Sequence, residues 1–120
     1  RRLAGDHQRG GRAAAGPGKV FLAAKNLKTG ATVSLRGDEP VRTASTIKLP
    51  LLVEVYAQAA EGKLRFDEKL TLDPRDVVSG SGVLRELGPG VSLPLQGVAN
   101  LMIVVSDNTA TNMLVERVTA

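Results

Sequence analysis

The nine residues Ser106-Asp107-Asn108-Thr109-Ala110-Thr111-Asn112-Met113-Leu114 stop one apolar helix and start another. Upstream of them Leu95, Val98, Ala99, Met102 and Ile103 recur at helical spacing and make one buried face. The pattern predicts a helix over 93–105 with Ser92 as its N-cap. Downstream, a further helix is predicted from about Thr109, carrying Met113, Leu114 and Val118. Ser, Asp and Asn all cap helices well, so capping alone accounts for a polar break at this point. Chance, however, places S-D-N in only about 2% of chains this long, and here it follows directly on an apolar helix.

Working outward, the next polar cluster at a helix start is Ser45-Thr46-Ile47-Lys48. From Ser45 the spacing of Ile47, Leu51, Leu52, Val55 and Ala59 predicts one apolar helical face, with Gly62 as the stop. Pro50 lies just past the first turn and is expected to bend or weaken the start. Residues three apart on a helix share a face, so the Lys48 amine is expected to reach the Ser45 hydroxyl. A serine hydroxyl is a weak nucleophile until a base takes its proton, and a desolvated lysine amine is one such base. The helix N-terminus adds N–H groups that favour an oxyanion. Taken alone, S-x-x-K is expected by chance in roughly half of chains of this length, as a Ser cap and a solvated Lys.

Before this helix, residues 20–24 and 31–35 read as two strands joined by Asn26-Leu27-Lys28-Thr29-Gly30, a hairpin with a Gly turn. Leu70-Thr71-Leu72 reads as a short extended piece, Asp73-Pro74 opens a turn, and Ser79-Gly80-Ser81-Gly82 reads as a flexible crossing. Two strands do not make a stable sheet alone, so the hairpin is expected to need strands that do not follow here. Unpaired strand edges and an uncovered apolar helix face are expected in turn.

The chain has 120 residues, 42% hydrophobic and 23% charged, an ordinary globular balance. It starts at Arg1 and is read as a processed or cut product. The core must be aliphatic, because Phe21, Phe66 and Tyr56 are its only aromatics. Cysteine is absent, which excludes disulfides, zinc–thiolate sites and thiol chemistry. No apolar run is long enough to span a membrane. His7 is the single histidine and stands in a Gly/Arg-rich stretch, so a Ser-His-Asp triad is a poor reading. Residues 1–19 hold five basic side chains against Asp6, which accounts for the whole net charge of +4. They are read as a flexible basic lead-in, and residues 20–120 as the domain. Without stacking aromatics beside that charge, nucleic acid is not an expected partner.

In this order and at this separation, the S-x-x-K and S-D-N stretches resemble those of class A β-lactamases and penicillin-binding proteins. The Ser-Thr-x-Lys form, the S-D-N-T-A-x-N-x-L flank and the preceding hairpin all agree with class A, over about residues 20–118. The resemblance implies an α+β fold of the serine β-lactamase/transpeptidase type, truncated to its N-terminal portion. By the same resemblance, Ser45 is acylated by a β-lactam, Lys48 helps to take its proton, and Ser106 relays a proton to the ring nitrogen. Asn108 holds Lys48 and the substrate's side-chain amide, Asp107 is structural, and the Ser45 N–H is an oxyanion donor. The family's omega-loop glutamate and its K-T-G strand are expected beyond Ala120. Lys28-Thr29-Gly30 spells K-T-G but is read as an ordinary hairpin turn. Ser79-Gly80-Ser81-Gly82 stands where many members place an aromatic at the pocket rim.

The partner so implied is a small β-lactam or cell-wall peptide mimic, with no metal or organic cofactor. The resemblance also implies a periplasmic or extracellular setting, and the complete enzyme is expected to be a monomer. Three functions stay open: a β-lactamase, a penicillin-binding or esterase-like relative that deacylates slowly, and a non-catalytic remnant. The 120-residue chain by itself is expected to be inactive.

Overall fold

The computed structural model describes residues 18–120, so His7 and nearly all of the basic lead-in lie outside the described residues. The chain divides into two units, Arg1–Arg42 and Thr43–Ala120.

The described part of the first unit is the expected hairpin. Strands β1 (Leu22–Lys25) and β2 (Thr32–Leu35) pair antiparallel, with Leu22 opposite Leu35 and Lys25 opposite Thr32. Asn26 builds the turn. Its side-chain oxygen accepts from the N–H groups of Lys28 and Thr29, and its carbonyl accepts from Gly30. Gly30 adopts φ +72°, which a residue with a Cβ takes only at a cost. Lys28-Thr29-Gly30 is therefore the tip of a turn. Every residue of both strands is exposed.

The second unit holds the core. A 3-10 turn over Ala44–Ile47 leads into α1 (Lys48–Ala60). Val55 is buried, and Leu51, Leu52 and Ala59 pack against the core, as their spacing predicts. Ile47 departs from the expectation and is half-exposed. It belongs to the 3-10 turn, whose tighter winding carries it off the α-helical face. Pro50 falls within the first turn of α1, where an α-helix has backbone N–H groups without intrahelical partners, so its missing donor is tolerated. The helix ends as predicted at Gly62, with φ +74°, and the Lys63 N–H returns to the Gln58 carbonyl.

A second two-stranded ribbon follows. β3 (Lys69–Thr71) pairs antiparallel with β4 (Ser92–Pro94), with Leu70 opposite Leu93. Between them lie a 3-10 turn at Pro74–Asp76, closed by an Asp73/Asp76 capping box, and the short helix α2 (Leu84–Leu87). Ser92 is thus a strand residue, hydroxyl-bonded to Thr71 at 2.9 Å, and not the predicted N-cap. The reason is Pro94. A proline disfavours helical conformation at the residue before it, and its own extended ψ of 143° delays the helix to Leu95. The first N–H groups of α3 (Leu95–Val104) are then satisfied by backbone: Leu95 donates to the Glu68 carbonyl and Gln96 to that of Phe66.

Helix α3 buries Leu95, Val98, Ala99 and Met102, and α4 (Asn108–Thr119) buries Thr109, Ala110, Met113 and Leu114. These side chains meet Val55, Leu64, Leu72 and Leu84 in one aliphatic core. Ile103, expected on the buried face of α3, is instead partly exposed. At the far end of α4, Arg117 pairs with Glu68 at 2.6 Å and donates to the Lys63 carbonyl, tying the helix to the segment before β3.

Candidate active site

Helices α1 and α4 and the break between α3 and α4 bring the polar residues of the two stretches together. Ser45 sits in the 3-10 turn leading into α1, and its hydroxyl lies 2.9 Å from that of Ser106. Lys48 is the first residue of α1 and is buried. Its Nζ donates to the Ser106 carbonyl at 2.6 Å, to the Ser106 hydroxyl at 2.9 Å and to Asn108 Oδ1 at 2.9 Å. Three acceptors match the three donors of an ammonium group. The hydrogen bonds of Lys48 go to Ser106 and Asn108 rather than to Ser45. The expected direct reach from Lys48 to Ser45 is thereby corrected: the Ser106 hydroxyl stands between them.

Two residues at the centre hold a left-handed backbone, Ala44 at φ +47° and Ser106 at φ +54°. For residues with a Cβ this conformation costs about 1–2 kcal/mol each. At Ser106 it lets both the carbonyl and the hydroxyl oxygen face Lys48.

Asp107 is the N-cap of α4 and is 1% exposed. One carboxylate oxygen accepts from Val83 N at 2.7 Å and Leu84 N at 2.8 Å, the other from Ala110 N at 2.9 Å. Burial alone would push this carboxyl up. The N–H groups of Ala110, Leu84, Val83 and Thr109 outweigh it and hold Asp107 below the usual carboxylate range.

The segment expected to be a flexible crossing is part of the site. Asn108 donates through Nδ2 to the Ser79 carbonyl at 3.2 Å, and its backbone N–H donates to the Ser81 carbonyl at 2.9 Å. Val78 exchanges hydrogen bonds with the Thr109 hydroxyl. The alternation of serine and glycine was the available signal, since glycine in a polar stretch marks close backbone approach as well as flexibility.

An open cleft of about 410 Å³ runs from Ser45 and Lys48 past Ser79 and Asn108 to Thr111 and Asn112. A second recess, about 260 Å³, lies beside Ser45 between Leu49, Met102, Ile103 and Ser106. Ile103 thus faces a recess next to the serine, which explains its departure from the core. Among the described residues no group of three or more His, Asp or Glu is placed to hold a metal ion. No helix among them is long and apolar enough to cross a membrane.

A family model described as "Beta-lactamase enzyme family" matches residues 8–120. The chain belongs to the beta-lactamase enzyme family. Within it, the chain is 24% identical over 106 residues to Beta-lactamase VEB-1 of Pseudomonas aeruginosa, covering 79% of this chain and 36% of that protein. Among solved structures it is similar to PBP-A, with a TM-score of 0.78 and 39% identity over 82% of this chain and 37% of that one. A PBP-A variant solved as an acyl-enzyme complex with penicillin G matches equally well. The beta-lactamase from Sphaerobacter thermophilus matches with a TM-score of 0.67 and 40% identity, over 74% of this chain and 34% of that one. The chain therefore spans little more than a third of the length of these relatives. The expected α+β serine β-lactamase fold is borne out over the part that this chain contains.

Proposed function

We propose that this beta-lactamase-family chain carries the nucleophile side of a serine hydrolase site in which Ser45 is acylated by a β-lactam. The observation that supports this best is the hydrogen-bonded chain Ser45–Ser106–Lys48–Asn108 at the mouth of an open cleft.

Ser45 Oγ attacks the lactam carbonyl carbon and forms an ester as the ring C–N bond breaks. The Ser45 proton passes to the Ser106 hydroxyl and on to Lys48, and Ser106 delivers a proton to the departing ring nitrogen. The resting geometry has Lys48 donating to three acceptors. The form that starts acylation is the same amine one proton short, with its bond to the Ser106 hydroxyl reversed. Asn108 orients Lys48 through Oδ1 and contributes its amide to the substrate's side chain. Asp107 holds the loop that presents both. Water then hydrolyses the ester. We place the activity outside the cytoplasmic membrane, where β-lactams and cell-wall peptides are met, in a monomeric enzyme.

A second reading is a relative that acylates and then deacylates slowly. The match to a PBP-A variant solved as an acyl-enzyme with penicillin G favours it. Intact-mass measurement after adding penicillin to the protein that carries this chain separates these readings. A mass increase by one penicillin, lost in Ser45→Ala, supports acylation at Ser45. A gain that decays in seconds marks a β-lactamase, and one that persists for hours marks the slow relative. No gain, or a gain that survives Ser45→Ala, would overturn the proposal.

A further inference from the structure

The two carbonyls that hold Asn108 belong to Ser79 and Ser81, on either side of Gly80. Gly80 has φ +104°, and a Cβ placed there would run into Asn108 Nδ2. Gly82 has φ +122°, and a Cβ there would run into the Asp107 carboxylate. The loop thus lays bare backbone against both side chains, and each glycine faces one of them.

The contact at Ser79 decides more than where Asn108 lies. An amide has a donor end and an acceptor end. With Nδ2 on the Ser79 carbonyl, Oδ1 faces the Lys48 Nζ donor. If the amide were flipped, Nδ2 would face Nζ, donor against donor, and Oδ1 would face the Ser79 carbonyl, acceptor against acceptor. The loop carbonyl therefore selects the end of Asn108 that Lys48 meets, and the bare Cα of Gly80 permits the approach.

We infer that Gly80 is a positioning residue for acylation, acting through the side-chain amide of Asn108. This rests on the reading of Ser45 as nucleophile. The mechanism is steric and local: a side chain at position 80 displaces Nδ2 from the Ser79 carbonyl and takes Oδ1 away from Lys48.

Backbone strain must be separated from the collision, and the chain supplies its own control. Gly90 has a similar φ of +92°, yet a Cβ there meets nothing within 4 Å. Gly90→Ala carries the strain without the collision, and Gly80→Ala carries both. The test is the rate of penicillin acylation, read by intact mass, in a double-mutant cycle of Gly80→Ala with Asn108→Ala, beside Gly90→Ala. Because a misplacement of about 1 Å costs up to about 100-fold, Gly80→Ala should slow acylation about 10- to 100-fold. Gly90→Ala should stay within about 2-fold of the parent. In the Asn108→Ala background, adding Gly80→Ala should change the rate less than about 2-fold, since the group it displaces is gone.

An equal loss in both backgrounds would overturn the inference, because Gly80 would then act independently of Asn108. So would parental acylation in Gly80→Ala. If Gly80→Ala does not fold, adding Asn108→Ala removes the collision and should restore folding; failure to do so also overturns it. The side-chain amide NMR signal of Asn108 gives a reading without activity. It should move in Gly80→Ala and stay in Gly90→Ala, and an unmoved signal in both would defeat the inference. Failure of the nucleophile reading looks different: the parent protein then gains no mass, or Ser45→Ala still does.

Discussion

Three backbone N–H groups from two separate segments, residues 83–84 and 110, donate to the Asp107 carboxylate at 2.7–2.9 Å. Replacing it by alanine leaves those donors buried without an acceptor. Asp107→Ala should therefore cost about 3 kcal/mol or more, measured as a lowered urea midpoint. The carboxyl is held below its ordinary range, so the sign of its pH dependence is fixed. The stability it contributes is fully present above the unfolded carboxylate value of about 3.9 and is lost as pH falls through the lower folded value. Urea midpoints taken from pH 7 down to pH 2 should fall more steeply in the parent than in Asp107→Asn. At Lys48 the expected effect is on rate. Lys48→Ala removes the group that bridges Ser106 and Asn108, and acylation by penicillin should slow by about 10²- to 10⁴-fold. That Ser45, Lys48, Ser106 and Asn108 would meet was legible from motif types and order. That the Ser106 hydroxyl would stand between Ser45 and Lys48 was not. It depends on a left-handed φ at Ser106, which nothing in a serine's identity announces.

Among the elements, α3 and α4 make the most extensive contact, and each gives the core a fully buried side chain, Met102 and Leu114. Leu114→Ala should cost about 2–5 kcal/mol by equilibrium unfolding, while Val53→Ala, on the exposed side of α1, should cost under about 1 kcal/mol. Long apolar periodicities revealed the three main helices. Their boundaries were read less well where proline decides. Pro94 turned a predicted helix start into the strand Ser92–Pro94, and Pro50 fell inside a first turn instead of after it. The short helix α2 gave no periodic signal, because four residues do not complete a pattern.

On the scale of the whole molecule, the two units differ in how their hydrogen bonds are protected. The β1–β2 hairpin is exposed along both strands, whereas α3 buries four residues in the core. Two strands without a covered face are marginal. Hydrogen exchange followed by mass spectrometry should show the amides of residues 22–35 exchanging well before those of 98–104. Equal protection of both segments would contradict this. The hairpin's form was legible because Asn and Gly fix a turn locally, while its burial depends on contacts that no local pattern encodes.

The bond between Ser45 and Ser106 joins residues 61 apart in the chain, and that between Lys48 and Asn108 joins residues 60 apart. The α3–α4 pair, by contrast, is separated by a short break and can associate early. Closing a long loop carries an entropic cost before any contact rewards it, so distant pairings tend to form late. On the reading of Ser45 as nucleophile, the serine then stays chemically ordinary while the helices form, and becomes reactive only when α1 docks against the α3–α4 pair. In a refolding experiment on the protein that carries this chain, the appearance of penicillin-reactive protein should lag behind the recovery of helical circular dichroism, timing the step that brings the serine to its partners.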